Sequence, residues 1–186
     1  MCAAPMVDLF ARILGWIGHL GPHPQEAILR GTGTWALTLL LVTLGVTPLR
    51  RWWNWSELIR ARRLLGCWAF AYALSHLLAF WAFEHEFVWA AVWRDAFKRP
   101  FVTTGLITFI LLLPLAMTST TWAMRTLGAR WKTLHRLIYL AVLSACLHFF
   151  LHRAGKNNYG DPALVLGITM LLLGARVWWS YGMRRR

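Results

Sequence analysis

The chain has 186 residues, of which 58% are apolar and 15% are charged, and its 20 Lys and Arg against 7 Asp and Glu give a formal net charge of +13. A soluble domain carries about a quarter charged residues. A nucleic-acid binder spreads its basic residues over a polar face. This composition excludes both classes, and about five helical spans of roughly 20 residues would use most of the apolar residues. We therefore predict an all-α integral membrane protein with short loops, no separate soluble domain and no nucleic-acid partner.

Five apolar segments are long enough to cross a bilayer as helices. They cover residues 31–49, 64–83, 101–117, 134–151 and 162–181. An earlier segment, residues 7–20, is interrupted by Asp8 and Arg12 and reaches only about 21 Å at about 1.5 Å per residue. It predicts a short or interfacial amphipathic helix, with a thinned sixth span as the alternative. Arg176 lies near the end of the last span, where its long side chain is expected to reach the interface.

The predicted organisation is a short or degenerate N-terminal helix in residues 1–30, a five-helix transmembrane domain in 31–181 and a basic tail in 182–186. With Arg50 placed inside, one side of the membrane holds 13 basic residues and one acid, and the other holds six basic residues and five acids. Lys and Arg concentrate on the cytoplasmic side of membrane proteins, so the Arg50 side is predicted to be cytoplasmic.

Two histidines lie deep inside apolar spans, where ionisable residues are costly and by default functional. His76 follows Arg63 by 13 residues and His148 follows Arg136 by 12. Both therefore lie in the outer half of the bilayer, about 18–20 Å from the inner surface. Small residues flank each histidine on its helix face. They leave a slot for a porphyrin, which bis-histidine ligation from two helices can hold, or else they allow close helix packing.

His135 lies 13 residues before His148, at the cytoplasmic start of the fourth predicted span. On one continuous helix, that offset turns its side chain about 140° away from the His148 face. At its level on the second span lie Arg62 and Arg63, which cannot ligate iron. Three roles remain open for His135: a flavin or quinone contact, an iron ligand with an unidentified partner, or a helix cap. His152 is a candidate substitute ligand or propionate partner.

Several stretches of the chain resemble the MsrQ (YedZ) family: TSTTWAMRTLGARWKTLHRLIYL at residues 118–140, RRLLG at 62–66, the helix of His76, and TPLR at 47–50. These proteins are the heme-binding membrane subunits of the periplasmic methionine-sulfoxide reductase system, within the ferric-reductase-like transmembrane superfamily. The resemblance implies a multi-pass b-type cytochrome of the bacterial inner membrane. Its electrons would come from the quinol pool or a cytosolic flavin reductase. They would pass to MsrP, the periplasmic molybdopterin enzyme that repairs oxidised periplasmic proteins.

The same resemblance implies heme b and FMN as cofactors and associates His76, His135 and His148 with heme. The chain lacks the fourth heme histidine of the superfamily oxidases, so we expect one firmly held heme. Contacts to a flavin phosphate are predicted for basic residues of the cytoplasmic loops, although topology alone also explains their charge. These residues are Arg62, Arg63, Arg125 and Arg130.

No GxGxxG motif and no stretch long enough for a Rossmann unit is found in the sequence. We therefore expect an electron-transfer subunit rather than the catalytic subunit of an oxidoreductase system. Two alternatives remain at this stage. One is a self-sufficient transmembrane reductase of ferric iron or oxygen, and the other is a non-redox membrane anchor with packed histidines.

Overall fold

The computed structural model describes residues 2–13, 15–16, 18, 21–53 and 58–182, and this part of the chain forms nine helices and no strand. The helices are α1 (Ala4–Ile13), α2 (Pro24–Trp53), α3 (Leu58–His85), α4 (Trp89–Lys98), α5 (Pro100–Met117), α6 (Thr121–Leu127), α7 (Ala129–Leu134), α8 (Leu137–Ala154) and α9 (Gly160–Gly182). Five segments are long and apolar enough to cross a membrane: Pro24–Leu49, Ala61–His85, Pro100–Met117, Ala129–Ala154 and Gly160–Trp179. The protein is the all-α integral membrane protein that its composition predicts.

Helix α1 confirms the prediction of a short N-terminal helix, although it covers residues 4–13 rather than 7–20. Its ten residues extend about 15 Å, which is too short to cross a bilayer. Asp8 and Arg12, one turn apart, form an ion pair with 2.9 Å between Oδ2 and Nε. The hydroxyl of Tyr72 donates to the carbonyl of Cys2 at 3.1 Å. This bond ties the peptide that precedes α1 to the middle of α3.

Two helix pairs make up most of the bundle. In the first helix pair α2 packs along α3, and in the second helix pair α5 packs along α8, while α9 lies against α8 and α2. The buried core runs between the pairs and consists mainly of aliphatic and small side chains. It includes Ala36, Leu40, Leu44, Ala69, Tyr72, Leu112, Ala141, Val142 and Ala145.

The connections contain short helices that the hydropathy pattern does not predict. Helix α4 joins the two pairs, burying Val92 and Ala96 against the bundle and leaving Phe97 90% exposed. Helices α6 and α7 join α5 to α8. All three have ten residues or fewer, and apolar segments of that length give no membrane-span signal.

The fourth span is not one continuous helix, and this corrects the argument made for His135. Helix α7 ends at Leu134, His135 caps it, and α8 begins only at Leu137. The amide of His135 bonds to the carbonyl of Trp131 at 3.0 Å, and the amide of Arg136 bonds to the carbonyl of Thr133 at 3.1 Å. The predicted rotation of about 140° assumed an unbroken helix with 100° per residue, so it does not apply across this turn.

The expectation for Arg176 is also wrong, because its side chain turns into the bundle instead of reaching the interface. Its guanidinium donates to the Tyr139 hydroxyl at 3.0 Å, to the Leu44 carbonyl at 2.7 Å and to the Thr47 hydroxyl at 2.7 Å. Charged side chains in membrane segments face the bundle interior where polar partners are available. Arg176 thereby joins α9 to α2 and α8.

Candidate cofactor site

His76 on α3 and His148 on α8 face each other across the interface between the two helix pairs. Their ring centroids are 6.2 Å apart, and their planes cross at 77°, so the predicted match in depth is confirmed. A bond from a histidine nitrogen to a metal is about 2 Å long, which places two imidazoles on opposite sides of one metal ion with ring centres about 6 Å apart. The separation suits a single metal ion held between both rings.

A backbone carbonyl orients each of the two rings. The Nδ1 atom of His76 lies 3.0 Å from the Leu29 carbonyl oxygen, and that of His148 lies 2.6 Å from the Phe101 carbonyl oxygen. A carbonyl oxygen only accepts hydrogen bonds, so Nδ1 carries the proton in both rings. Nε2 is left as a free lone pair in each, which is the arrangement that prepares histidine for metal ligation.

A glycine lies against each imidazole, on the helix that also supplies the carbonyl. A Cβ atom added at Gly33 would lie 3.1 Å from Cε1 and Nδ1 of His76. One added at Gly105 would lie 2.9 Å from Nδ1 of His148. The rings therefore occupy space that a side chain would fill, and the glycines let α2 and α5 approach the histidine helices closely.

The two histidines line a cavity of about 1060 Å³ that opens at the end of the bundle where α2 and α5 begin. This volume lies just above the usual range of about 300–1,000 Å³ for cofactor and ligand pockets. The lining includes the two glycines and the small side chains of Ala73 and Ala145. Apolar side chains form much of the remaining wall, among them Leu37, Leu40, Leu77, Phe80, Phe109 and Leu112. A large, flat, mostly apolar group with a metal centre fits this lining.

The two halves of the site repeat along the sequence. Each histidine lies 47 residues after the residue whose carbonyl orients it. It also lies 43 residues after its glycine. A shift of 72 residues carries Leu29, Gly33 and His76 onto Phe101, Gly105 and His148. The same shift relates Ala69 to Ala141, and both side chains are 0% exposed.

Sequence reasoning found the histidines but missed both glycines and both carbonyls. The signal that could have found them is the 72-residue repeat, since the same two spacings recur in the two helix pairs. A small residue in a membrane helix more often serves helix packing, and a carbonyl has no signature in the residue type. Only the folded arrangement shows which glycine faces which ring.

His135 does not line the cavity. Its Nε2 lies 3.1 Å from the Thr118 hydroxyl, and the Trp131 ring stacks on it with 3.9 Å between ring centroids. The Trp131 indole N–H in turn donates to the Thr118 carbonyl at 2.8 Å. His135 is partly buried and is thus held between an aromatic ring and a hydroxyl.

The four arginines predicted to contact a flavin phosphate also lie outside the cavity. Arg63, Arg125 and Arg130 are exposed. Arg62 is half-buried and lies within electrostatic range of His135 and of Arg176. Two guanidinium groups and an imidazole therefore lie near one another at this end of the bundle, and the flavin role of the four arginines remains a prediction.

A bundle of membrane-spanning helices that turns two imidazoles toward one cavity defines a class of protein, the multi-pass helical membrane proteins with a histidine-lined cavity between their helices. Bis-histidine cofactor sites in helical bundles have this kind of arrangement. The model of the family described as ferric reductase like transmembrane component matches residues 32–146. The chain also resembles proteins named protein-methionine-sulfoxide reductase heme-binding subunit MsrQ. It is 46% identical to that of Bordetella pertussis over 88% of this chain and 82% of the relative.

Identity to the protein of the same name from Polaromonas naphthalenivorans is 43%, over 100% of this chain and 85% of the relative. For that of Caulobacter vibrioides it is 41%, over 95% of this chain and 83% of the relative. No solved structure matches the chain. The chain belongs to the MsrQ family of ferric reductase like transmembrane components.

Proposed function

We propose that the chain is a b-type cytochrome subunit that carries electrons across the bacterial inner membrane to a periplasmic methionine-sulfoxide reductase. The single observation that carries this proposal is the pair of imidazoles, 6.2 Å apart, whose Nδ1 atoms are engaged by backbone carbonyls. Such a pair leaves both Nε2 atoms available for one iron. The relatives' name, heme-binding subunit, supports heme as the group.

Heme supplies a one-electron couple when it is bound, and the protein's residues set its position and surroundings. His76 and His148 would hold its iron through their Nε2 atoms. The Leu29 and Phe101 carbonyls hold the rings in orientation and increase the basicity of the ligating nitrogens, as outer-shell acceptors do for metal-bound histidines. The apolar wall lowers the local dielectric and limits water access, both of which tune a redox potential.

Charge asymmetry supports the direction of transfer. The excess of basic residues at the Arg62 end favours a cytoplasmic location for that end. In that orientation the cavity and its mouth would face the periplasm. The acceptor at the cavity end would be the molybdopterin subunit MsrP, and the donor would be the quinol pool or a cytosolic flavin reductase. FMN as a second cofactor, with phosphate contacts from Arg62, Arg63, Arg125 or Arg130, belongs to this same proposal.

Visible spectroscopy of the purified protein, expressed with an adequate heme supply, tests the central claim. We expect a Soret band that shifts on reduction by dithionite and α and β bands typical of low-spin heme. Reduced protein is then mixed either with a periplasmic molybdopterin methionine-sulfoxide reductase and its substrate or with a ferric chelate. Rapid reoxidation by the enzyme supports the proposal. Reoxidation by the chelate alone would favour a self-sufficient ferric reductase, and the lack of any Soret band would leave a non-redox anchor.

A further inference from the structure

One side of the cavity mouth carries a concentration of positive charge. Arg30 comes from the first turns of α2, whereas His152, Arg153 and Lys156 come from the last turn of α8 and the residues after it. All four line the cavity, and His152 lies within electrostatic range of the other three. We call these four residues the mouth cluster.

The cations of the mouth cluster are paired only loosely within the protein. Arg30 Nε lies 3.7 Å from the nearer carboxylate oxygen of Glu26, and Lys156 Nζ lies 3.3 Å from the same oxygen. Arg153 Nη2 lies 3.4 Å from Asp161 Oδ2. Strong charge-assisted hydrogen bonds are about 2.7–2.9 Å long. Two cations therefore share one carboxylate, the third has a long contact, and all three retain capacity for a further anion.

Arg99 lines the same cavity but is already engaged. Its Nε and Nη2 atoms both donate to the carboxylate of Asp95, one to each oxygen. These hydrogen bonds hold the pKa of Asp95 below its usual value and raise the pKa of Arg99. A bidentate pair of this kind uses the guanidinium donors that would otherwise face a ligand. Arg99 is thus a charged lining residue with little capacity for an additional anion.

We propose that the mouth cluster binds the two propionate carboxylates of the macrocycle, so that the edge carrying them points out of the cavity between α2 and α8. The inference rests on the proposed function, because it requires a porphyrin in the cavity. A carboxylate buried against the apolar wall without a cation would be strongly unfavourable. Loosely paired basic side chains at the opening supply the counter-charge while leaving the apolar part of the ring inside.

The test compares hemin with hemin dimethyl ester, in which both propionates are neutral. Apoprotein from heme-deficient cells is titrated with each compound in detergent, and dissociation constants are measured from the Soret band. The unmodified protein should bind hemin at least about tenfold more tightly than the ester, because a hydrogen bond to a charged group is worth about that factor or more. In the double variant Arg153→Gln/Lys156→Gln, hemin should weaken while the ester does not, so that the ratio falls toward one.

Arg99→Gln is the matched control, since it removes a lining arginine that Asp95 already holds, and it should keep the ratio of the unmodified protein. Equal affinities for hemin and ester in the unmodified protein would overturn the inference, as would an unchanged ratio in the double variant. The latter result would assign the mouth cluster to a different anion, such as a lipid phosphate. A low-spin spectrum with both compounds would still uphold axial ligation, whereas its absence with hemin would overturn the proposed function itself.

Discussion

The two helix pairs contain the same arrangement of a carbonyl, a glycine and a histidine, although the residues around it differ. In each pair, one helix provides a carbonyl and, one turn later, a glycine. The other helix provides a histidine, and the number of residues between the carbonyl and the histidine is the same in both pairs. At other positions the two pairs differ. The shift of 72 residues relates Phe80 to His152 and Arg63 to His135. The site therefore has two equivalent histidine positions. Only the second has a further histidine on either side of it in the chain, His135 before His148 and His152 after it.

The second half-site is the tighter of the two. The His148 Nδ1 atom lies 2.6 Å from its carbonyl oxygen, compared with 3.0 Å for His76. His76 has an additional neighbour, the Thr32 hydroxyl at 3.4 Å. One turn before His148 on α8, Ser144 accepts a hydrogen bond from the Thr108 hydroxyl at 2.9 Å, which joins α5 to α8. His148 is thus held by one shorter contact, in a helix pair joined by a further hydrogen bond, whereas His76 is held by two longer contacts.

The largest effect is expected from removing either imidazole. His76→Ala and His148→Ala should each abolish the low-spin heme spectrum, because one iron needs both axial nitrogens for that state. Visible spectra and heme stoichiometry of the purified variants provide the measurement. A variant that kept full stoichiometry and an unchanged spectrum would remove that histidine as a ligand. It would also break the equivalence of the two halves.

A smaller and unequal effect is expected from the two glycines. Gly105→Ala places a methyl group 2.9 Å from His148, and Gly33→Ala places one 3.1 Å from His76. Overpacking costs about 1–3 kcal/mol, so we expect heme affinity to fall about tenfold for Gly105→Ala and by less for Gly33→Ala.

Gly45→Ala is the control, since its added methyl group would meet only the Leu172 side chain at 3.8 Å, which is ordinary contact. Heme titration of the three apoproteins measures the order. Equal affinity in Gly105→Ala and Gly45→Ala would show that close approach to the ring does not matter.

The smallest effect is expected at His135, whose counterpart in the first helix pair is Arg63. His135→Ala should leave the low-spin signal of the His76 and His148 site at its full heme stoichiometry, because His135 does not line that cavity. Stoichiometry and electron paramagnetic resonance of the variant test this expectation. Loss of a distinct second heme signal would instead assign His135 to another iron site, and the expected count of one firmly held heme would be wrong.

Hydropathy predicts the five spans well because each apolar stretch matches the thickness of the hydrocarbon core. Depth along a helix follows from a fixed rise per residue, which is why the pairing of His76 with His148 could be predicted. The turn at His135 could not be predicted, because no Gly or Pro lies in residues 131–138 to mark it. The orientation of Arg176 depends on the Leu44 carbonyl, a main-chain partner on another helix that sequence periodicity does not indicate.

The use of main-chain carbonyls to orient both rings also affects which sequence changes the site can tolerate. Every residue type carries the same carbonyl group, so the side chains at positions 29 and 101 can vary without loss of this contact. What must persist is the number of residues between the carbonyl and its glycine. A single insertion or deletion between them would rotate one relative to the other by about 100°. The spacing of residues 29 to 33 and of residues 101 to 105 is therefore as important to the orientation of the rings as the identity of the histidines.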